Sequence, residues 1–357
     1  VPGHGRDEET VERMLIENLH LNGTAVAYPD TRISVSDALA EGLVRDFDDT
    51  IGNPAVPVFD EHGPVADLAV EALRATMKST GTEPGDVGLL IHCGWWHQGF
   101  DMWSAAHYVA HQVGALNSVP LNLSQGCNAP MAALELVTRA MLADEAIGTA
   151  VVTASDAMLG PQLDRWNLNY GCVHGDAGTA MVVSRTAGES NSFRIMSIAS
   201  SAAPELEEMN RAGHVPTPGP GLRQDGKLDL KSAKKAYLTE FGLEHFTRLA
   251  RTALTRCVRE ALDDAGISGA EDRVRAVAVP RLSGKVFETV YRPLLAPFFG
   301  DAKVLWHGDR TAHLGVADVG ANVADLRQDM ELRTGDLCVI VNAGGGYTWS
   351  CLVLETN

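Results

Sequence analysis

One order of elements occurs twice along this chain, and that repetition limits the fold more than any other feature. In the first half a helical segment (AVEALRATMKSTG) leads through EPGDV into an apolar strand, GLLIHCG. In the second half CVREALDDAGISG leads through AEDRV into RAVAVPR. Each copy continues with a helix, a short strand, a loop (LSQGCNAP or GDRTAHLG), a further helix and a final strand, TAVVTAS or LCVIVNAGGG. Apolar runs of strand length alternating with segments of helical period define an α/β class with a buried sheet. The runs predict strands over Val87–His92, Ala150–Ala154, Ala180–Ser184, Ala276–Pro280, Lys303–Trp306 and Leu337–Asn342. Helices are expected over Val65–Ser79, Asp101–Val113, Ala129–Asp144, Leu243–Ala265, Gly284–Ala296 and Gly315–Met330.

Composition narrows the partners. Against 46 Asp and Glu stand 29 Lys and Arg, a formal charge of −17, and such a surface repels phosphate backbones and anionic lipid. No apolar run reaches the ~20 residues of a membrane span, and the opening VPGHGRDEETVER lacks a signal peptide's apolar core, so a soluble cytoplasmic protein is expected. The six cysteines never approach C-x-x-C spacing, which argues against structural zinc and a redox pair. P-loop, G-x-G-x-x-G and G-x-S-x-G motifs are absent from the sequence, leaving kinase, dehydrogenase and α/β-hydrolase readings without support.

The duplication suggests an N-terminal half over 15–190, an inter-half loop or insertion over 191–240 and a C-terminal half over 241–357. The middle stretch carries HVPTPGPG and then KLDLKSAKK, a basic cluster in an acidic chain. It reads either as a solvated helix face or as a docking strip for a carrier protein or coenzyme phosphates, carried by Arg223, Lys227, Lys231, Lys234 and Lys235.

Cys127 sits just before a helix whose first turn holds Pro130. A thiol there faces unpaired N–H groups and the positive end of the helix dipole, an environment that favours the thiolate; the alternative is a buried structural cysteine. A cysteine nucleophile needs a base, and the corresponding loop of the second half supplies His313. Five residues on, Asp318 either complements its own helix dipole or orients the imidazole. The glycine run Gly344 to Gly346 follows a strand; it is a tight turn, or a bare backbone that donates N–H to an oxyanion.

LNGTAVAYPD, NLSQGCNAPMAALELV, VVTASDAM, GDAGTAMVVS and GDLCVIVNAGGGYTWS occur collinearly. With them the chain resembles the thiolase superfamily, and within it the β-ketoacyl-acyl-carrier-protein synthase III branch, from about Leu15 to Glu355. The resemblance implies a duplicated five-layered αβαβα fold, a homodimer, an acyl-cysteine at Cys127, and an oxyanion hole from Cys127 with Gly345 and Gly346. It implies no permanently bound cofactor; the donor is an acyl-CoA or the acyl-phosphopantetheine of a carrier protein.

Two departures bear on the reaction. Condensing members carry a histidine after a V-P dipeptide where this chain reads VAVPRLSG, with Arg281 in its place, and an asparagine about where His313 stands. That pair stabilises the enolate of a decarboxylating malonyl thioester. The Cys127, His313, Asp318 set instead resembles the ketosynthase-III-like acyltransferases of natural-product pathways, such as the enzyme of cervimycin assembly. The expected activity is acyl transfer through Cys127 to an oxygen, nitrogen or thiol acceptor in polyketide or glycoside biosynthesis. Decarboxylating condensation and a non-catalytic carrier-binding paralogue are the alternatives.

Other residues draw attention for different reasons. His92, His97, His107 and His111 lack an H-E-x-x-H pattern, and no metal is expected at them. Trp95, Trp96, Phe100 and Trp103 form an aromatic cluster suited to packing or, for the first three, to an acyl pocket. His174 reads as a turn residue, and Cys338 and Cys351 as core.

Overall fold

The computed structural model describes residues 16–45, 51–60, 63–160, 162–188, 192–217, 227–299 and 303–357. Twelve strands are present among them: β1 His20–Ala27, β2 Arg32–Ser34, β3 Ala55–Pro57, β4 Val87–Cys93, β5 Val119–Leu123, β6 Thr149–Asp156, β7 Ala177–Ser184, β8 Phe193–Ala202, β9 Val274–Ala278, β10 Lys303–Leu305, β11 Leu337–Gly344 and β12 Thr348–Thr356. Ten of them run in the order β10-β9-β11-β12-β8-β1-β7-β6-β4-β5, while β2 and β3 form a separate pair.

That order resolves into two equivalent leaves. In the first, β5 and β6 flank β4 in parallel, and β7 and then β1 follow antiparallel. In the second, β10 and β11 flank β9 in parallel, and β12 and then β8 follow antiparallel. The leaves join where His20 and Leu21 pair with Arg194 and Phe193, and the Ile195 N–H donates to the Leu19 carbonyl at 2.9 Å. The stretch read as an insertion therefore opens with a sheet strand, because β8 is the second copy's counterpart of β1. Its serines hid this from an apolar-run criterion: Ser197 donates to the Ala261 carbonyl at 2.6 Å, and Ser200 to Glu135 at 2.8 Å.

Helices cover both leaves and fill the space between them. Ala66–Thr80 and Ala105–Val113 pack outside the first leaf, and Leu243–Ala265 with Arg292–Phe299 outside the second. Ala129–Ala143 and Asp318–Asp329 lie between them, sharing one core with Ile91, Val152, Ala276 and Ile340. The result is the five-layered duplicated α/β fold. Parallel strands covered on both faces explain why β4, β6 and β11 read as nearly continuous apolar runs.

Local chemistry moved several boundaries. The helix expected from Asp101 begins at Ala105, where Ser104 caps it by accepting from the His107 N–H. The segment from Gly315 opens as a 3-10 turn, Gly315–Ala317, before the α-helix starts at Asp318. No described helix is long and apolar enough to cross a membrane.

Candidate active site

The two inner helices bring the site together. Cys127 lies between β5 and the start of Ala129–Ala143, and Pro130, which has no N–H to leave unpaired, occupies that helix's first turn. The turn before it needs a glycine: Gly126 has φ +54°, and a Cβ there would collide with the Trp95 ring. Asn128 does not cap the helix. Its Nδ2 donates instead to Ser350 of β12 at 2.9 Å, while Asn342 of β11 donates to the Cys127 carbonyl at 2.9 Å. The second half thus fixes the loop that carries the first half's thiol.

His313 is buried between Gly308–Thr311 and the 3-10 turn. Its N–H donates to Val173 at 3.0 Å and its carbonyl accepts from Gly175 at 2.9 Å, so a first-half loop grips its backbone on both sides. Its Nε2 lies 3.0 Å from Cys127 Sγ and its Nδ1 2.6 Å from Asp318 Oδ2. The fully buried Asp318 carboxylate also accepts from the Leu314 N–H at 2.7 Å and the Arg281 N–H at 3.1 Å.

Charge follows from this geometry. Burial alone would lower the His313 pKa, but the Asp318 carboxylate, with Cys127 and Cys172, outweighs it and holds the ring well above the usual histidine range. Burial would likewise raise the carboxyl of Asp318; the neighbouring His313 and Arg281 charges hold it below its usual value. The ring thus lies between the Asp318 carboxylate on its Nδ1 side and Cys127 Sγ on its Nε2 side.

Arg281 points away from the cysteine. Its guanidinium donates to Asp325 at 2.5 Å and Thr311 at 3.1 Å, along the helix that Asp318 begins. Of the aromatic set, Trp95 reaches the site: its ring lies against Gly126 and Gly345, and its backbone N–H donates to the buried Asp156 at 3.0 Å. Trp96 stacks on Trp95 at 6.0 Å, whereas Phe100 packs edge-on to Trp103 at 5.1 Å and is largely exposed. Gly344 abuts the Cys127 loop, since a Cβ there would meet the Asn128 N at 2.5 Å and the Gln125 carbonyl at 2.8 Å. Gly345 and Gly346 form the turn that follows.

The basic strip is not one outward face. Lys227 pairs with Asp164 at 2.9 Å, Lys231 lies 5.6 Å from the Tyr170 ring centroid, and Lys235 is exposed. Lys234 corrects the reading: its ammonium turns inward from Leu230–Phe241 to Asn169 Oδ1 at 2.5 Å, where burial lowers its pKa. The reason is helical phase, because Lys234 neighbours Ala233 and Tyr237 on the packed face. Arg223 lies outside the described residues.

His174 is no ordinary turn residue. It is buried with its ring 5.4 Å from that of His313, and its Nε2 is 3.4 Å from Cys172 Sγ. The sequence signal was the C-x-H spacing, overlooked because the third partner is so distant in sequence. His92 is buried and hydrogen-bonds Thr153 at 3.0 Å; burial pushes its pKa down to about 4. His97, His107 and His111 are exposed.

Fold and site together define a thiolase-like protein built around a histidine-paired cysteine. Residues 121–204 match the family model for 3-oxoacyl-[acyl-carrier-protein] synthase III, and residues 270–356 that for its C-terminal part. Both halves of the chain are therefore similar to this ketosynthase III-like family. A curated relative, the β-ketoacyl-[acyl-carrier-protein] synthase III of Sphingopyxis alaskensis, is 24% identical over 338 residues, 94% of this chain and 98% of its own. Among solved structures, ChlB3, described as an acyltransferase, superposes with a TM-score of 0.83 at 27% identity, covering 95% of this chain and 98% of its own. The 3-oxoacyl-[acyl-carrier-protein] synthase III of Aquifex aeolicus gives 0.73 at 19% identity, covering 94% and 99%, and shares the fold.

Proposed function

We propose that this protein is an acyltransferase that carries its acyl group on Cys127. The observation that supports this most is the 3.0 Å approach of His313 Nε2 to Cys127 Sγ, with Asp318 behind the ring and Arg281 turned elsewhere. Cys127 gives its proton to His313 and its thiolate attacks the carbonyl of a CoA or carrier-protein thioester; collapse of the tetrahedral intermediate expels the donor thiolate, which takes that proton from His313 and leaves the ring neutral. N–H groups of Cys127 and of the glycine turn at Gly345 and Gly346 are the candidate oxyanion donors. His313, held by Asp318, then deprotonates an oxygen, nitrogen or thiol acceptor, which attacks the acyl-cysteine and releases Cys127. Such transfer needs a base and no enolate stabilisation. The likeness to ChlB3 supports the same reading.

The setting we infer is natural-product assembly in the cytoplasm. A homodimer through edge strand β5 accords with the exposure of Val119 and Leu121, apolar side chains that an unpaired edge would leave in water. Intact-protein mass after incubation with acyl-CoA tests the first step. The expected gain equals the acyl mass and is absent in Cys127→Ala; an adduct that persists there refutes the nucleophile. Carbon dioxide release from malonyl thioester that depends on Cys127 would assign condensation instead.

A further inference from the structure

Two further reactive groups, Cys172 and His174, converge on His313 without a task of their own in acyl transfer. Cys172 Sγ and His174 Nε2 are 3.4 Å apart, and both lie within 4.8 Å of a ring nitrogen of His313. All three residues are buried. We propose that Cys172, His174 and His313 form a zinc site whose fourth position faces Cys127, so that a bound ion closes the nucleophile.

The geometry is close to what zinc requires. Bonds of ~2.0 Å to nitrogen and ~2.3 Å to sulfur set tetrahedral donors about 3.3 to 3.8 Å apart, so the present spacing needs shifts of about 1 Å. His313 is already oriented for it. With Nδ1–H donating to Asp318 at 2.6 Å, Nε2 is the nitrogen left to ligate once it gives up its proton, the carboxylate–histidine–metal arrangement that fixes a ligating ring. The loops are laced together as well, since the His313 N–H donates to Val173 and the Gly175 N–H to His313. Cys127 Sγ is 3.0 Å from His313 Nε2 but lies outside that 4.8 Å set, so its side chain has to move toward Cys172 and His174 to take the fourth position.

Ligand chemistry selects the ion. Two imidazoles and two thiolates suit zinc and not magnesium or calcium, which take oxygen donors. Each thiol that binds releases its proton to solvent, as does Nε2 of His313, and two thiolates neutralise the divalent ion. Lys234, reaching Asn169 nearby, opposes the cation; the thiolate charge offsets it. The site stands on this geometry whether or not acyl transfer is the reaction, and its effect is reversible masking of the thiol.

The test uses full-length protein stripped with a chelator. Zinc titration against a chromophoric chelator should give about one ion per chain, and cobalt should give a thiolate charge-transfer band with intense tetrahedral visible absorption. Iodoacetamide labelling of Cys127, followed by mass, should slow at least ~10-fold at saturating zinc. Cys172→Ser and His174→Gln should each weaken zinc binding by about 10- to 100-fold, whereas Cys257→Ser, in the core of the second half, should not. Melting without metal confirms that each variant folds, and the cobalt spectrum of the unaltered protein needs no variant. Absence of stoichiometric metal, unchanged affinity in both variants, or labelling indifferent to zinc would each overturn the proposal.

Discussion

Arg281 gives its backbone N–H to Asp318 at 3.1 Å, so the residue standing where condensing relatives carry a histidine braces the carboxylate that holds His313. Its side chain continues away to Asp325. Any residue but proline would make that backbone bond, so what sets this position apart is a side chain turned to Asp325.

The triad should behave as a unit. Asp318→Asn leaves the shape nearly intact but offers His313 no anion, so acyl transfer should fall by about 10²- to 10⁴-fold. The double variant with His313→Ala should lose little more than the worse single one. Transfer rates to a small amine acceptor check this, and additive losses would separate the two residues.

Breaking the buried ion pair should cost stability directly. Arg281→Met leaves Asp325 only His307 and the longer Arg310 contact, a loss of about 3 kcal/mol in urea unfolding. Replacing both partners, Arg281→Met with Asp325→Leu, should recover much of it. No recovery would place the effect in the Thr311 contact.

Asp156 makes stability depend on pH. Burial pushes its carboxyl up to about 7, against the opposing N–H bonds of Trp96, Trp95 and Val316. The unfolded chain titrates near 3.8, so the folded state binds the proton more tightly, and this contribution is lost as pH rises through 7. Relative to Asp156→Asn, the unaltered protein should melt lower at pH 8.5 than at pH 5.5. Parallel melting curves across that range would refute the assignment.

Much of this was legible in the sequence where apolar period and sequence neighbours decide structure. Leu243–Ala265 was read to the residue because its apolar stripe is unbroken and Gly266 stops it in the left-handed region. Cys127 announced itself by its place before a helix. The strands β1 and β8 did not, since Asn22 and Thr24 satisfy themselves on Ser184 and Gly320 across the fold, beyond any local pattern. Lys234 and His174 were misread for the same reason: their partners, Asn169 and His313, come from other elements.

The Asn342 bond to the Cys127 carbonyl carries a consequence for the order of synthesis. When Cys127 leaves the ribosome, neither that asparagine nor the His313 base has yet been made. An incomplete chain therefore carries the thiol without its support or its proton acceptor. The reactive centre is assembled last, and a prematurely terminated product is inert by construction.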